Sequence, residues 1–276
     1  MAFLQIAVSG LLTGAVYALM AAGLALALGV GKIVNLAHGT FYTLGAYLVF
    51  FLFSRQLPLL WALPLAATLA FLLGLGLGRL VAPFRAWMDA SAVLTLGLAI
   101  LGEQMFQAVW GPFYHSLPSQ GAFHLRGLIL PRQEVLAAGV ALILLASLAG
   151  VLRTRLGLGL RVAALDEEIA LLGGFDVAAI RRLALGASAA AAAVAGTLLA
   201  PLGVIFPSMG RNPLLLSIVI VVVGGFRTPR GTLITSLLVG LAGALISFYL
   251  APSWAYVGTM MLLAGSLAIR PQGLTR

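Results

Sequence analysis

Cysteine is absent from the 276 residues, lysine occurs once, as Lys32, and seven carboxylates stand against sixteen basic side chains. The missing thiols exclude disulfides, iron–sulfur clusters and thiolate zinc sites. The lone lysine, in Gly31-Lys32-Ile33, excludes a Walker A loop, which needs Lys followed by Ser or Thr so that amine and hydroxyl meet phosphate and Mg²⁺. Neither H-E-x-x-H nor G-x-S-x-G occurs, and His38, His115 and His124 lack the carboxylate neighbours of a metal or triad site. The chain alone is therefore expected to be no enzyme and to bind no cofactor.

Charge of either sign is scarce. Charged residues make up 8% of the chain and hydrophobic ones 62%, whereas a soluble domain carries about 25% charged residues. Uncharged runs cover 2–31, 33–54, 56–78, 104–125, 135–152, 183–210, 212–226 and 231–269, and about 20 apolar residues suffice for one bilayer crossing. The net charge of +9 comes from arginines set singly or in small groups between these runs, with no aromatic-interleaved basic surface, so it speaks for membrane topology and against nucleic acid.

The expected fold is an all-α polytopic membrane protein, one integral domain over 1–276, with about nine transmembrane helices (eight to ten) near 4–30, 35–53, 57–79, 90–110, 134–152, 178–203, 213–225, 231–250 and 252–269. The first run is too long for a signal-peptide core and has no basic residue before it, so it reads as a retained helix. Nine charges crowd the segment 153–182. Charged side chains at the bilayer centre cost a few kcal/mol each, and a basic excess belongs on the cytoplasmic side. With that loop inside, Lys32, Arg79, Arg85, Arg153, Arg155, Arg161, Arg181, Arg182, Arg227, Arg230, Arg270 and Arg276 are inside and Arg55, Arg126, Arg132 and Arg211 outside, which predicts an outer N-terminus and an inner C-terminus. The connection Gly29 to Lys32 and the short seventh span are candidates for broken or re-entrant elements. Small residues at Gly10 and Gly14, Gly74 and Gly78, and from Gly186 to Gly196 suit close helix packing.

Three groups of residues carry the candidate chemistry. Asn35 can cap a helix beginning near Leu36, which puts His38 and Gly39 in its first turn, where free N–H groups suit a solute carboxylate. The plainer reading makes Asn35 only a cap and lets His38 bond a neighbouring carbonyl. Asn212-Pro213 repeats the device. Glu103, with Gln104 and Gln107 beside it, is an acid within a span. It is open to protonation, to pairing with an outer arginine such as Arg126, to contact with a solute ammonium, or to a structural hydrogen bond. In the loop, Val162, Leu165, Ile169 and Leu172 recur at helical spacing and predict one amphipathic helix, followed by an exit turn at Gly174 and a cap at Asp176. That helix either lies on the membrane or seats in a groove of a partner.

Glu168, Ala170 and Gly174 form E-x-A-x-x-x-G; Asn35-Leu36-Ala37-His38-Gly39 precedes Gly45-Ala46-Tyr47; and Arg161-Val162-Ala163-Ala164 precedes Asp166 and Asp176. Further on come Gly203-Val204-Ile205-x-Pro207, Val223-Gly224-Gly225 with Pro229 and Gly231, and Arg270-Pro271-Gln272-Gly273-Leu274. In this order the chain resembles the LivH-type permeases of branched-chain amino-acid ATP-binding-cassette importers. The family usually has a Gln-Asn pair where Glu103-Gln104 stands. The resemblance implies a permease moving an amino acid inward across a bacterial or archaeal cytoplasmic membrane. It implies ATPase subunits that hold ATP and Mg²⁺ and engage Arg161, Asp166, Glu167, Glu168, Ala170 and Gly174. It also implies a second, LivM-like permease or a second copy, and an extracytoplasmic solute-binding protein. Two other classes remain open: a proton-coupled transporter with Glu103 and His38 as a relay, and a passive channel for small polar solutes such as urea or amides.

Overall fold

The computed structural model describes residues 2–84, 88–118, 121–125, 128–225 and 229–269. Arg85, Arg126, Arg227 and the motif beginning at Arg270 lie outside the described residues. Helices stand at the expected places: α1 (Ala2–Gly29), α2 (His38–Ser54), α3 (Ala62–Val81), α4 (Met88–Trp110), α5 (Arg132–Val151), then α6 (Arg155–Leu165) and α7 (Glu167–Leu172) in the charged loop, α8 (Val177–Leu199), α9 (Arg211–Gly224), α10 (Pro229–Tyr249) and α11 (Pro252–Ile269). Among the described residues six helical stretches are long and apolar enough to cross a membrane: Phe3–Gly29, Ala62–Phe84, Asp89–Trp110, Arg132–Val151, Val177–Leu202 and Pro229–Tyr249. The chain is not purely helical. At one end of the bundle β1 (His115–Ser116) pairs antiparallel with β4 (Val204–Ile205), and β2 (Ala122–Leu125) forms a hairpin with β3 (Leu128–Pro131).

Helix α8 is the centre of the packing. Of its apolar window 72% of residues are buried, against 11% for α4. Its alanine-rich sequence explains this, because small side chains let backbones approach where lipid gives no hydrophobic drive between helices. A Cβ on Gly196 would overlap the carbonyl of Tyr42, and one on Gly45 the carbonyl of Ala193, so α2 and α8 touch backbone to backbone. Gly10 and Gly14 of α1 meet Gly240 and Ser236 of α10 in the same way.

Three local expectations need correction. Helix α2 begins at His38 behind Ala37, which caps nothing with its side chain, so Asn35 is not an N-cap. Helix α9 begins at Arg211 behind Gly210, placing Asn212 and Pro213 inside the first turn, where proline's missing N–H is tolerated. The loop helix is two helices. Asp166, extended at φ −149° and ψ 122°, ends α6 and caps α7 by accepting from the N–H groups of Glu168 and Ile169. A short polar side chain offers the backbone this alternative to a continuous helix.

Candidate functional site

Residues 30–37 leave helical geometry between α1 and α2, and side chains from other helices hold them. Thr95 of α4 accepts from the N–H of Leu36 at 3.1 Å, and its hydroxyl hydrogen is shared between the carbonyl of Val34 at 3.0 Å and that of Ala92 at 3.1 Å. His38 lies fully buried, its Nε2 3.2 Å from the carbonyl of Met20 and its Nδ1 3.1 Å from the hydroxyl of Ser188. A carbonyl only accepts, so Nε2 carries the proton and Nδ1 accepts from Ser188. Both nitrogens of a neutral imidazole are thereby used, and His38 locks α2 to α1 and α8. Asn35 is as deeply buried, yet neither its Oδ1 nor its Nδ2 has a partner among the described residues.

The two short helices begin against each other. Gly39 packs on the backbone of Gly210, and Thr43 receives the N–H of Gly210 at 3.1 Å. One residue on, Arg211 reaches α4. Its Nε donates to Glu103 at 2.7 Å and its second nitrogen closes a bidentate ion pair with the same carboxylate. The acid expected inside a span is thus matched by an arginine, Arg211; the expected Arg126 lies outside the described residues. The Arg211 side chain is 66% exposed, and Gln104 and Gln107 are exposed on α4 beside it. Of the expected solute residues the structure therefore brings together Gly39, Glu103 and the start of α9. It leaves Gln104 and Gln107 on an outer face and gives His38 a fastening role.

Sequence reasoning missed Glu134. It sits in the first turn of α5, is buried, and accepts hydrogen bonds from Ser9 at 2.9 Å and Thr13 at 3.2 Å on α1. The available signal was the pair of hydroxyls four residues apart, which share one helix face.

In the loop, Ala170 is buried against Ala163, Val177 and Ile180, which seats α7 on its own bundle. Arg181 of α8, 9% exposed in its side chain, grips Glu167 of α7 with two hydrogen bonds of 3.0 and 2.7 Å. Planar fork-to-carboxylate pairs of this kind fix orientation as well as distance. Glu167 therefore braces α7 from within, whereas Glu168, Arg161 and Asp166 stay exposed. Gly174 takes φ +78° in the exit turn, and Asp176 caps α8 by accepting from Ala179 N–H at 2.9 Å. The expected stripe is split: Val162 packs against the bundle, whereas Leu165, Ile169 and Leu172 are exposed, Leu172 to 88%, with Leu171 exposed beside them. Such a patch outside the apolar helices marks a contact surface.

The family model for the branched-chain amino acid transport system permease component matches residues 6–267. The high-affinity branched-chain amino acid transport system permease protein LivH of Escherichia coli is 28% identical over 292 residues, covering 99% of this chain and 95% of that protein. The corresponding BraD protein of Pseudomonas aeruginosa is 26% identical with the same coverage. A probable LivH of Methanocaldococcus jannaschii is 30% identical over 130 residues, 45% of this chain and 41% of that protein. No solved structure matches the chain.

Proposed function

The chain belongs to the permease-component family of branched-chain amino acid transport systems, and we propose that it is the membrane-spanning subunit of an ATP-driven importer for branched-chain or related amino acids. In this reading it is a multi-pass protein of a bacterial or archaeal cytoplasmic membrane, with nine crossings, an outer N-terminus and an inner C-terminus. ATP and Mg²⁺ belong to separate cytoplasmic ATPase subunits, and solute arrives from an extracytoplasmic binding protein.

One observation carries the proposal. The charged loop holds α7 rigidly through Asp166, Ala170 and the Glu167–Arg181 pair while turning Leu165, Ile169 and Leu172 outward. A braced helix with an unpartnered apolar edge suits seating in a groove, where nucleotide-driven closure of the motor can move the bundle. Braced from within, Glu167 acts on the motor indirectly, and Arg161, Asp166 and Glu168 supply the polar rim.

The α4 and α9 face complements this. Gln104, Gln107 and Arg211 are exposed about 5–10 Å from the end of α4, at 1.5 Å per residue, a depth where lipid satisfies neither amide nor guanidinium. That face suits a second permease, or a second copy, with the solute path along the seam. The bonded state of His38 and the Glu103–Arg211 pair speaks against a proton relay through those residues.

The test is reconstitution with candidate ATPase subunits and the second permease. Substrate-stimulated ATP hydrolysis and ATP-dependent uptake are expected. Uptake of equal rate without ATP would establish a passive channel instead.

A further inference from the structure

Between α1, α5, α6 and the start of α10 runs a cleft of about 840 Å³. Its walls are apolar, with Ala18, Ala22 and Ala25 of α1 on one side and Leu148 and Leu152 of α5 on the other. The alanines leave the room that leucines would fill. From Gly29 to Ala18 the cleft follows α1 for roughly 16 Å, at 1.5 Å per residue. Where α1 and α5 end and α10 begins, Arg153, Arg161 and Arg230 line it. All three are exposed, and none forms an ion pair among the described residues. Arg161 spends only its Nε, on the carbonyl of Gly157. No carboxylate lines the cleft.

We infer that this cleft binds one anionic glycerophospholipid, an acyl chain lying along the alanines of α1 and the phosphate resting among Arg153, Arg161 and Arg230. The inference rests on the proposed orientation, which puts the arginine end in the cytoplasmic leaflet, where basic clusters attract anionic headgroups. The chemistry selects this occupant. A zwitterionic amino acid in transit would find no acceptor for its ammonium. A free phosphate would leave the apolar walls unfilled, and an uncharged lipid would leave three guanidiniums uncompensated. The site also bears on coupling, because Arg161 belongs to α6, which leads through Asp166 directly into α7. A bound headgroup ties that arm to α1, α5 and α10, so lipid occupancy stiffens the support on which the motor-facing helix stands.

The test uses the complete transporter complex in detergent, titrated with phosphatidylglycerol or phosphatidylcholine of equal chain length and read by native mass spectrometry. Phosphatidylglycerol should bind more tightly. Replacing Arg153, Arg161 and Arg230 together by Gln should weaken it more than a hundredfold, about fivefold per charge (about 1 kcal/mol each), and weaken phosphatidylcholine, whose phosphate charge is offset by its own choline, far less. If the triple variant is not recovered, Arg161→Gln alone should lose about fivefold and Arg161→Lys much less. Ala22→Trp should weaken both lipids by filling the walls, and Arg55→Gln, at the other end of the bundle, should weaken neither. Equal binding of the two lipids, undiminished phosphatidylglycerol binding in the arginine variants, or its displacement by millimolar inorganic phosphate would overturn the inference. A second-permease helix occupying the cleft would do so too, seen as no lipid retained by the complex. Copurification of the ATPase with the unsubstituted permease reads the importer assignment separately from lipid binding, so either can fail while the other stands.

Discussion

Replacing Gly174 isolates what the loop does. Its φ of +78° lies in the left-handed region, and a Cβ there would meet nothing within 4 Å. A Cβ there therefore adds no clash, and the penalty that it brings is backbone strain, roughly 1–2 kcal/mol for an ordinary L-residue and greatest for a β-branched one. A domain is stable by about 5–15 kcal/mol, so Gly174→Val leaves the bundle folded. The strain falls on a turn in which Gly173, Gly174 and Phe175 donate to the carbonyls of Ile169, Leu171 and Ala170, the bonds that aim α7. Relief of 1–2 kcal/mol by letting that turn go shifts the local population by a factor of about 5–30. Gly174→Asn, which tolerates the left-handed region, should cost little, Gly174→Ala more and Gly174→Val most. ATPase copurification and substrate-stimulated turnover should fall in that order, with the thermal unfolding of the purified permease nearly unmoved. Full assembly and transport by Gly174→Val would refute the coupling assignment.

A cysteine introduced at Glu168 should be labelled by an impermeant thiol reagent only from the cytoplasmic side, and the native chain contributes no background thiol; labelling from outside would reverse the orientation. Ser188→Ala leaves the Nδ1 of His38 buried without a donor and should destabilise the detergent-solubilised protein by about 1–3 kcal/mol, measured by thermal or denaturant unfolding, with Ser188→Thr largely restoring it. Glu103→Gln should impair uptake more than ATPase association, because it frees Arg211 at the start of α9, and Arg211→Gln in the same chain should recover part of the loss; additive losses would show that the pair acts on nothing in common. The purified chain alone should bind no ATP in equilibrium dialysis, since it has no lysine placed for a phosphate loop.

Membrane solvation, the helical segments and the charged loop were legible in the linear chain because they depend on quantities that sum along it: run length, apolar content and the placement of arginines. The exit turn at Gly174 and the cap at Asp176 were legible for the same reason, as each needs only its immediate neighbours. The tertiary structure decided partners. Asn35 lost its capping role because the chain stays irregular to Ala37 under the grip of Thr95, a residue 60 positions away. Arg211, from a helix 108 positions away, met Glu103, and Glu167 turned to Arg181. The regular stripe through Val162, Leu165, Ile169 and Leu172 did not stay on one side: Val162 packs on the bundle while the other three are exposed around the break at Asp166. Periodicity tells which residues share a face but not what that face meets, because the answer depends on the competing bonds and close backbone approaches that only the assembled bundle supplies.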